Sequence, residues 1–539
     1  MIMVSLPGDQ SITAGAALSS PPARSERESV DISGTEQTRV RREKVVKMRA
    51  AGRDPYPLGY PRTTSTAEVR LAHPDLVPDQ RSGNIVGITG RLMLNRIGGK
   101  LCFATLQDAA GQLQVMLSLD ELGADLLAQW KTEVDLGDQI GVTGEVVCSR
   151  RGELSVMATS FAITSKCLHP LPDKHRGLTD PELRMRMRYL DLLVRPQARQ
   201  MLNLRPTAVR SVRQTLWDKG FTEVETPMLQ VLHGGANARP FVTSSNAYDI
   251  PLFLRIAPEL YLKRLLVGGA EQIFELNRNF RNEGADSSHN PEFTMLEMYQ
   301  AYGDYNTMAD LTRTIVLNAC EAVYGNHVAR HTKEDSQGEL VTTEHDLSVP
   351  WPRISVLQGI SAALGEQVDL DTDVVRLRSL ADQAGVPVAP TWAAAQILLE
   401  MYEHLLEDRT GLPTFYYDFP AEVCPLTRRH RTTPELAERW DLVAFGAEIG
   451  TGYSELIDPD DQRTRFEAQA LLAAGGDVDA MVLDEDFIRA LEHGMPPSGG
   501  QGMGIDRMLM MLTGANIRET VLFPLVRSDS TSPSPASKA

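Results

Sequence analysis

Apolar and polar positions alternate with a period of two along residues 84–164, in short runs broken by glycine turns. NIVGITGRLML, LCFATLQDA, QLQVMLSL, DQIGVTGEVVCS and ELSVMATSFAI each carry that alternation, which predicts half-buried strands. Between the third and fourth, DELGADLLAQWK repeats its apolar residues at helical spacing. Five short strands with one intervening helix predict a small OB-type barrel over 81–170. Upstream, within 36–80, Val40, Val45 and Met48 recur at roughly helical spacing. Between Gln37 and Arg53, Arg39, Arg41, Arg42, Lys44, Lys47, Arg49 and Arg53 stand against one acid, Glu43, which predicts a helix with a broad basic face.

The pattern changes after the proline-bearing stretch LHPLPDKHRGLTDPE (168–182). A helix is predicted over about 200–219, then a strand, FTEVETP, stopped by Pro227. Beyond it, strands and helices mix without a regular βαβ rhythm, so the 176–527 domain is expected to be α+β on an antiparallel sheet. Residues 325–425 are poorer in motifs and read as an insertion. The ends, 1–35 and 528–539, are rich in small and polar residues without periodicity and are expected to be disordered tails.

Composition adds exclusions. No apolar run reaches the roughly 18 residues of a membrane helix, and without an apolar stretch behind a basic start no secretory signal is expected. The cysteines at 102, 148, 167, 320 and 424 form no CxxC, which argues against a zinc site or disulfide framework and for a reducing cytoplasm. A net charge of −17 does not exclude a nucleic-acid partner, because binding depends on local patches.

Three segments carry candidate chemistry. In QIFELNRNFRNEGADSSHNPEF a strand runs into a polar loop and returns, presenting Arg281 and Glu283 at the loop's start, His289 beyond it and Phe293 on the way back. Arginine offers a rigid fork for phosphate or carboxylate, and an aromatic can stack on a base. In GGQGMGIDRMLMMLTG the glycines permit close backbone approach, and Arg507 stands in the first turn of an apolar helix, where the dipole also favours an anion. In WDLVAFGAEIGTGYSEL a hairpin turning at Gly446 brings Asp441 and Glu448 to one face as a candidate magnesium site, with Glu455 further on. Each segment alone also reads as an ordinary hairpin, glycine turn or solvated acid.

RIAPELYLKRLLVGG, FRNEGADSSHNPEFTMLEMYQAYGDY, GYSEL and HGMPPSGGQGMGIDRMLMMLTGANIRETVLFPLVR together resemble the class II lysyl-tRNA synthetases, from about residue 36 to 527. The resemblance implies a homodimeric cytoplasmic ligase with no membrane partner. It would activate L-lysine with ATP and magnesium and pass it to tRNA(Lys). Arg281 and Arg507 would be catalytic. Arg281, Glu283, His289, Phe293, Glu448 and Arg507 would bind ATP; Gly235, Glu259, Arg281, Glu297, Tyr299, Thr451 and Glu455 would bind lysine. Asp441 and Glu448 would hold the metal, and Arg96, Phe103, Gln114 and Glu153 would read the anticodon on the barrel. Three positions depart from the family pattern: Asp441 stands where glutamate is common, Thr451 where asparagine is common, and Ser288 where a basic residue is common. An aspartyl or asparaginyl enzyme fits less well, since its pocket needs cations where Glu297 and Glu455 supply acids.

Overall fold

In the computed structural model residues 36–172, 178–334, 340–474 and 481–526 are described. The two expected tails, residue 527 and the middle of the 168–182 stretch lie outside the described residues. Two units divide the chain between Pro172 and Asp173.

In the first unit, β1 (Arg81–Arg96), β2 (Leu101–Gln107), β3 (Gln112–Ser118), β4 (Gln139–Cys148) and β5 (Leu154–Ser165) close a barrel in the order β1-β2-β3-β5-β4. Alternation decides what points inward: Cys102, Ala104 and Leu106 are buried, while Phe103 and Thr105 lie on the outer face. The expected single helix is two, Leu119–Leu122 and Ala124–Glu133, because Gly123 turns the chain at φ 84°. Trp130 from the second is fully buried in the barrel core, its Nε1 donating to Asn95 at 3.1 Å.

The basic segment forms the helix Glu36–Ala50. Val45 and Met48 are buried as expected, but Val40 is exposed and Arg41 is buried in its place. The Arg41 guanidinium donates to the carbonyls of Cys167 and His169, both at 3.0 Å, so its stem can pack while its charge stays satisfied. Lys44 pairs with Asp135 at 2.7 Å and Arg53 with Glu133 at 2.5 Å. The outward basic face is thereby narrowed to Arg42, Lys47 and Arg49, beside an Arg39 already paired with Glu36 and Glu43.

The second unit is built on β6 (Thr222–Glu223), β7 (Gln272–Phe280), β8 (Glu292–Ala301), β9 (Arg353–Ser355), β10 (Thr414–Pro420), β11 (Leu436–Ala444), β12 (Ala447–Ser454) and β13 (Ser498–Gly504), in the order β9-β10-β11-β12-β13-β8-β7-β6. The antiparallel expectation holds through the middle and fails at both edges: β6 runs parallel to β7, and β9 to β10. Parallel neighbours need a long crossover, and the helices between β9 and β10 supply one. Two of the eight strands thus come from 325–425, which is no mere insertion. FTEVETP contributes only the short strand β6.

Helices Pro196–Asp218, Tyr305–Tyr324 and Ile505–Thr513 bury Val212, Leu216, Met308, Ile315 and Leu509 against one face of this sheet. Trp440 of β11 is fully buried there, its Nε1 donating to the Tyr305 carbonyl at 2.6 Å. The indole lies across Gly452, where an added Cβ would sit 2.4 Å from the ring. Gly452→Ala is therefore expected to cost about 1–3 kcal/mol through overpacking, measured by urea unfolding; an unchanged midpoint would show that the indole can shift.

Candidate functional site

β7 and β8 form the hairpin read from the sequence, with Phe280 opposite Glu292 and Asn279 opposite Phe293. The Arg281 amide donates to the Pro291 carbonyl at 2.9 Å, pinning the base of the loop. Its guanidinium lies over the Phe293 ring, Cζ 5.1 Å from the centroid, and among the described residues its buried Nε has no hydrogen-bond partner. Burial lowers its proton affinity, opposed by the carboxylates of Glu283 and Glu448. Such a half-buried, unmatched cation suits an arriving anion. It stands over a cleft of about 470 Å³ also lined by Gly235, Glu259, Glu283, His289, Phe293, Glu297, Tyr299, Glu448, Thr451 and Arg507. Glu455 and Asp441 are not on that wall.

At one end Arg507 extends from the first turn of Ile505–Thr513, whose N-cap, Gly504, offers no side chain to the helix N–H groups. Arg507 donates to the Glu448 carbonyl at 2.8 Å and contacts His289 Nε2 at 3.2 Å. A guanidinium only donates, so Nε2 accepts and the proton of the neutral ring is on Nδ1. Nδ1 faces Asp286 Oδ2 at 3.1 Å. Burial acts to raise the Asp286 carboxyl, but the Ser288 and His289 amides, together with the His289 and Ser288 side chains, outweigh it and hold it at about 2. Ser288 therefore serves the loop: its hydroxyl donates to Asp286 at 3.0 Å.

Acids gather at the other end. Glu259, Glu297 and Glu455 are all buried. Burial pushes Glu297 well above the usual carboxylate range, reinforced by the charges of Glu259 and Glu275, and its partner is the Tyr299 hydroxyl at 3.3 Å. Glu455 and Glu259 are raised by burial and pulled back by Lys263. Gly235 adopts φ 88° above this wall, and a Cβ there would come within 3.0 Å of Glu259 Cβ.

The β11–β12 hairpin turns at Phe445 and Gly446, both at positive φ, which fits a two-residue primed turn. Glu448 reaches the cleft. Burial and the Asp441 charge raise its carboxyl, while burial and the Glu448 charge push the nearby Glu407 up to about 7. Asp441, by contrast, is clamped by Arg439 through two bonds of 3.0 and 2.8 Å. Among the described residues no three carboxylate, histidine or cysteine side chains are arranged to hold a metal ion. The Thr451 hydroxyl is spent on the Trp440 carbonyl at 3.1 Å.

On the barrel, Arg96 of β1 pairs across to Phe103, and Thr105 to Gln114, on the outer face. Arg96 is exposed and Phe103 half-buried; Gln114 donates to Ser155 at 2.9 Å, and Glu153 is exposed and paired with Arg70 at 3.1 Å.

Sequence reasoning passed over Arg439, Asp286, Glu407 and Lys263. The Arg439–Asp441 pair at a strand's i,i+2 spacing and the Glu259–Lys263 pair at a helix's i,i+4 spacing were visible signals. Asp286 accepts from the amides two and three residues on, a local turn that an aspartate in a polar loop can signal, whereas Glu407 accepts from the Glu448 amide, which only the folded chain brings near.

A family model for tRNA synthetases of class II (D, K and N) matches residues 180–527, and one for the OB-fold nucleic acid binding domain matches 86–164. A lysine–tRNA ligase of Kineococcus radiotolerans is 52% identical over 494 residues, 91% of this chain and 97% of that one. One of Mycobacterium bovis is 51% identical over 502 residues, covering 92% of this chain and 98% of its own. The lysylphosphatidylglycerol biosynthesis bifunctional protein LysX of Mycobacterium marinum is 51% identical over 91% of this chain, which spans 43% of that protein.

The His289 tautomer is measurable. In ¹⁵N-labelled protein at neutral pH the imidazole proton is expected on Nδ1, and Asp286→Asn should weaken that preference; a ring carrying its proton on Nε2 would contradict the Arg507 contact.

Proposed function

This chain belongs to the lysine–tRNA ligase family of the class II tRNA synthetases (D, K and N), and we propose that its cleft joins lysine to ATP and then to tRNA(Lys) as follows. The lysine carboxylate attacks the α-phosphate, pyrophosphate leaves, and the ribose hydroxyl at the tRNA 3′ end then attacks the lysyl carbonyl, releasing AMP. The observation that carries the reading is the charge pattern of the cleft. Among the described residues an arginine without a paired anion stands over the cleft, and beyond it lie three buried acids, two of them on one internal ammonium and the third on a phenol. Free lysine is the complement, with one carboxylate and two ammonium groups.

In this assignment Arg281 bridges the carboxylate and α-phosphate, Phe293 and Glu283 take the adenine, and His289 and Arg507 hold the phosphate tail. Positioning and charge neutralisation supply the catalysis, so no covalent enzyme intermediate is needed. Glu259 and Gly235 take the α-amino group, and Thr451 borders the carboxylate. Glu297 and Tyr299 take the side-chain ammonium directly, with Glu455 behind them. At about 4 Å and an effective dielectric near 20, each ammonium–carboxylate attraction is roughly 4 kcal/mol before desolvation. A neutral competitor forgoes that and leaves a buried acid unpaired, at about 3–5 kcal/mol.

Magnesium would be held by Glu448, whose carboxyl is raised by burial and by the Asp441 charge, and by Asp441 only if Arg439 releases it. The ion would add positive charge at the phosphates. On the barrel, Arg96, Phe103, Gln114 and Glu153 would read the anticodon, supported by the outward placement of Phe103 on a nucleic-acid binding fold. Exposed apolar residues around 229–254, including Val231, Val242 and Tyr248, support a homodimer. No helix among the described residues is long and apolar enough to cross a membrane, and a cytoplasmic site of action is proposed.

Amino-acid-dependent ATP–pyrophosphate exchange across the twenty amino acids is expected to respond to lysine; no exchange with lysine would overturn the proposal. Glu297→Gln should abolish lysine activation while ATP binding persists, and retained activation would move the ammonium site elsewhere. Phe103→Ala should lower tRNA charging by about 10-fold or more, as loss of a base stack does, with lysyl-adenylate formation unchanged; equal losses in both steps would remove Phe103 from the anticodon site.

A further inference from the structure

Lys263 lies one helical turn beyond Glu259 and is fully buried. Its ammonium sits 2.7 Å from Glu259 Oε1 and 2.5 Å from Glu455 Oε2, and donates to the Leu426 carbonyl at 3.4 Å. Two carboxylates and a carbonyl thus surround it, and it is absent from the cleft wall. An ammonium so enclosed is costly to desolvate and persists only where carboxylates repay it.

Glu455 is pinned from the other side as well. A Cβ on Gly500 would lie 1.9 Å from Glu455 Oε1, so this carboxylate rests on strand backbone that only glycine leaves bare. Close by, Arg255 answers Glu275 at 2.6 Å and Arg439 answers Asp441 at 2.8 Å. Among the described residues the three acids Glu259, Glu297 and Glu455 are left with a single cation, Lys263, which touches two of them.

We infer that Lys263 is a positioning residue for the amino-acid pocket: it holds Glu259 and Glu455 in place as carboxylates, leaves Glu297 free, and so sets the shortfall of positive charge at the two that a diamino acid supplies. The inference rests on the assignment of this cleft to lysine. Without the internal ammonium the three buried acids repel one another and take up protons, which removes the charge that attracts the substrate. With a second internal cation the shortfall would fall to one, and an ordinary amino acid would satisfy it.

Lys263→Met, Lys263→Gln, Glu455→Gln and the double variant Lys263→Met/Glu455→Gln separate positioning from packing in lysine-dependent ATP–pyrophosphate exchange, with the melting temperature of each recorded. Lys263→Met and Lys263→Gln are both expected to raise KM for lysine about 100-fold or more, the scale of breaking a buried ion pair, with KM for ATP held within about 3-fold. The double variant should be no worse than the poorer single one, because both act through one pair. Should Lys263→Met fail to fold, Lys263→Gln, which keeps length and a donor, carries the comparison. An unchanged KM for lysine in a folded Lys263→Gln, or losses that simply multiply in the double variant, would overturn the inference. Wild-type protein that does not exchange with lysine would instead overturn the pocket assignment itself.

Discussion

Strand β13 has no room for side chains on its cleft face, and much of the site depends on that. A Cβ at Gly500 would meet the Glu455 carboxylate and the Tyr299 ring, and one at Gly502 would lie 2.5 Å from the Met295 methyl. Because the central strand is bare there, side chains from β8 and from the end of β12 can converge over it. The same strand leads directly into the helix that presents Arg507. The Asp506 carboxylate fixes that junction, accepting from the Thr294 amide at 2.8 Å and from Arg205. Glycines that look like a loop in the sequence are thus the centre of the sheet.

The electrostatic arrangement follows from burial on this floor. Most buried charges of the second unit are matched within it, as in Arg255–Glu275 and Arg439–Asp441. Among the described residues the exceptions cluster in the cleft: Arg281 pairs with no anion, and Glu297 has only a phenol. Buried groups left unmatched cost stability in the empty protein, and a ligand of complementary charge returns that cost as affinity. The Asp286–His289–Arg507 chain does the opposite, fixing the Arg507 side of the cleft in advance. One end is preorganised by hydrogen bonds and the other by charge.

Much of this was legible along the chain. The barrel strands, the β7–β8 hairpin and the helix that begins within GMGIDR have short-range signals: alternation, turn residues and apolar periodicity. Long-range choices were not. Nothing local tells that 353–355 and 414–420 join the main sheet, since strand pairing depends on partners elsewhere in the chain. Arg41 stands on what reads as a solvated basic face, yet carbonyls from the far end of the barrel make its burial affordable.

The candidate residues divide along the same line. By itself the sequence determined which groups are available: arginines at 281 and 507, acids at 259, 297, 448 and 455, and an aromatic at 103 on a barrel strand. Residue type and short spacing suffice for that, because they follow from covalent neighbours and local periodicity. Only the tertiary structure decided which of them meet the cleft and which are already satisfied. Asp441 turns to Arg439, Thr451 to a backbone carbonyl, and Glu455 to Lys263. A charge pairs with whatever the fold brings within about 3–4 Å, and that distance is set by packing between elements, not by order along the chain.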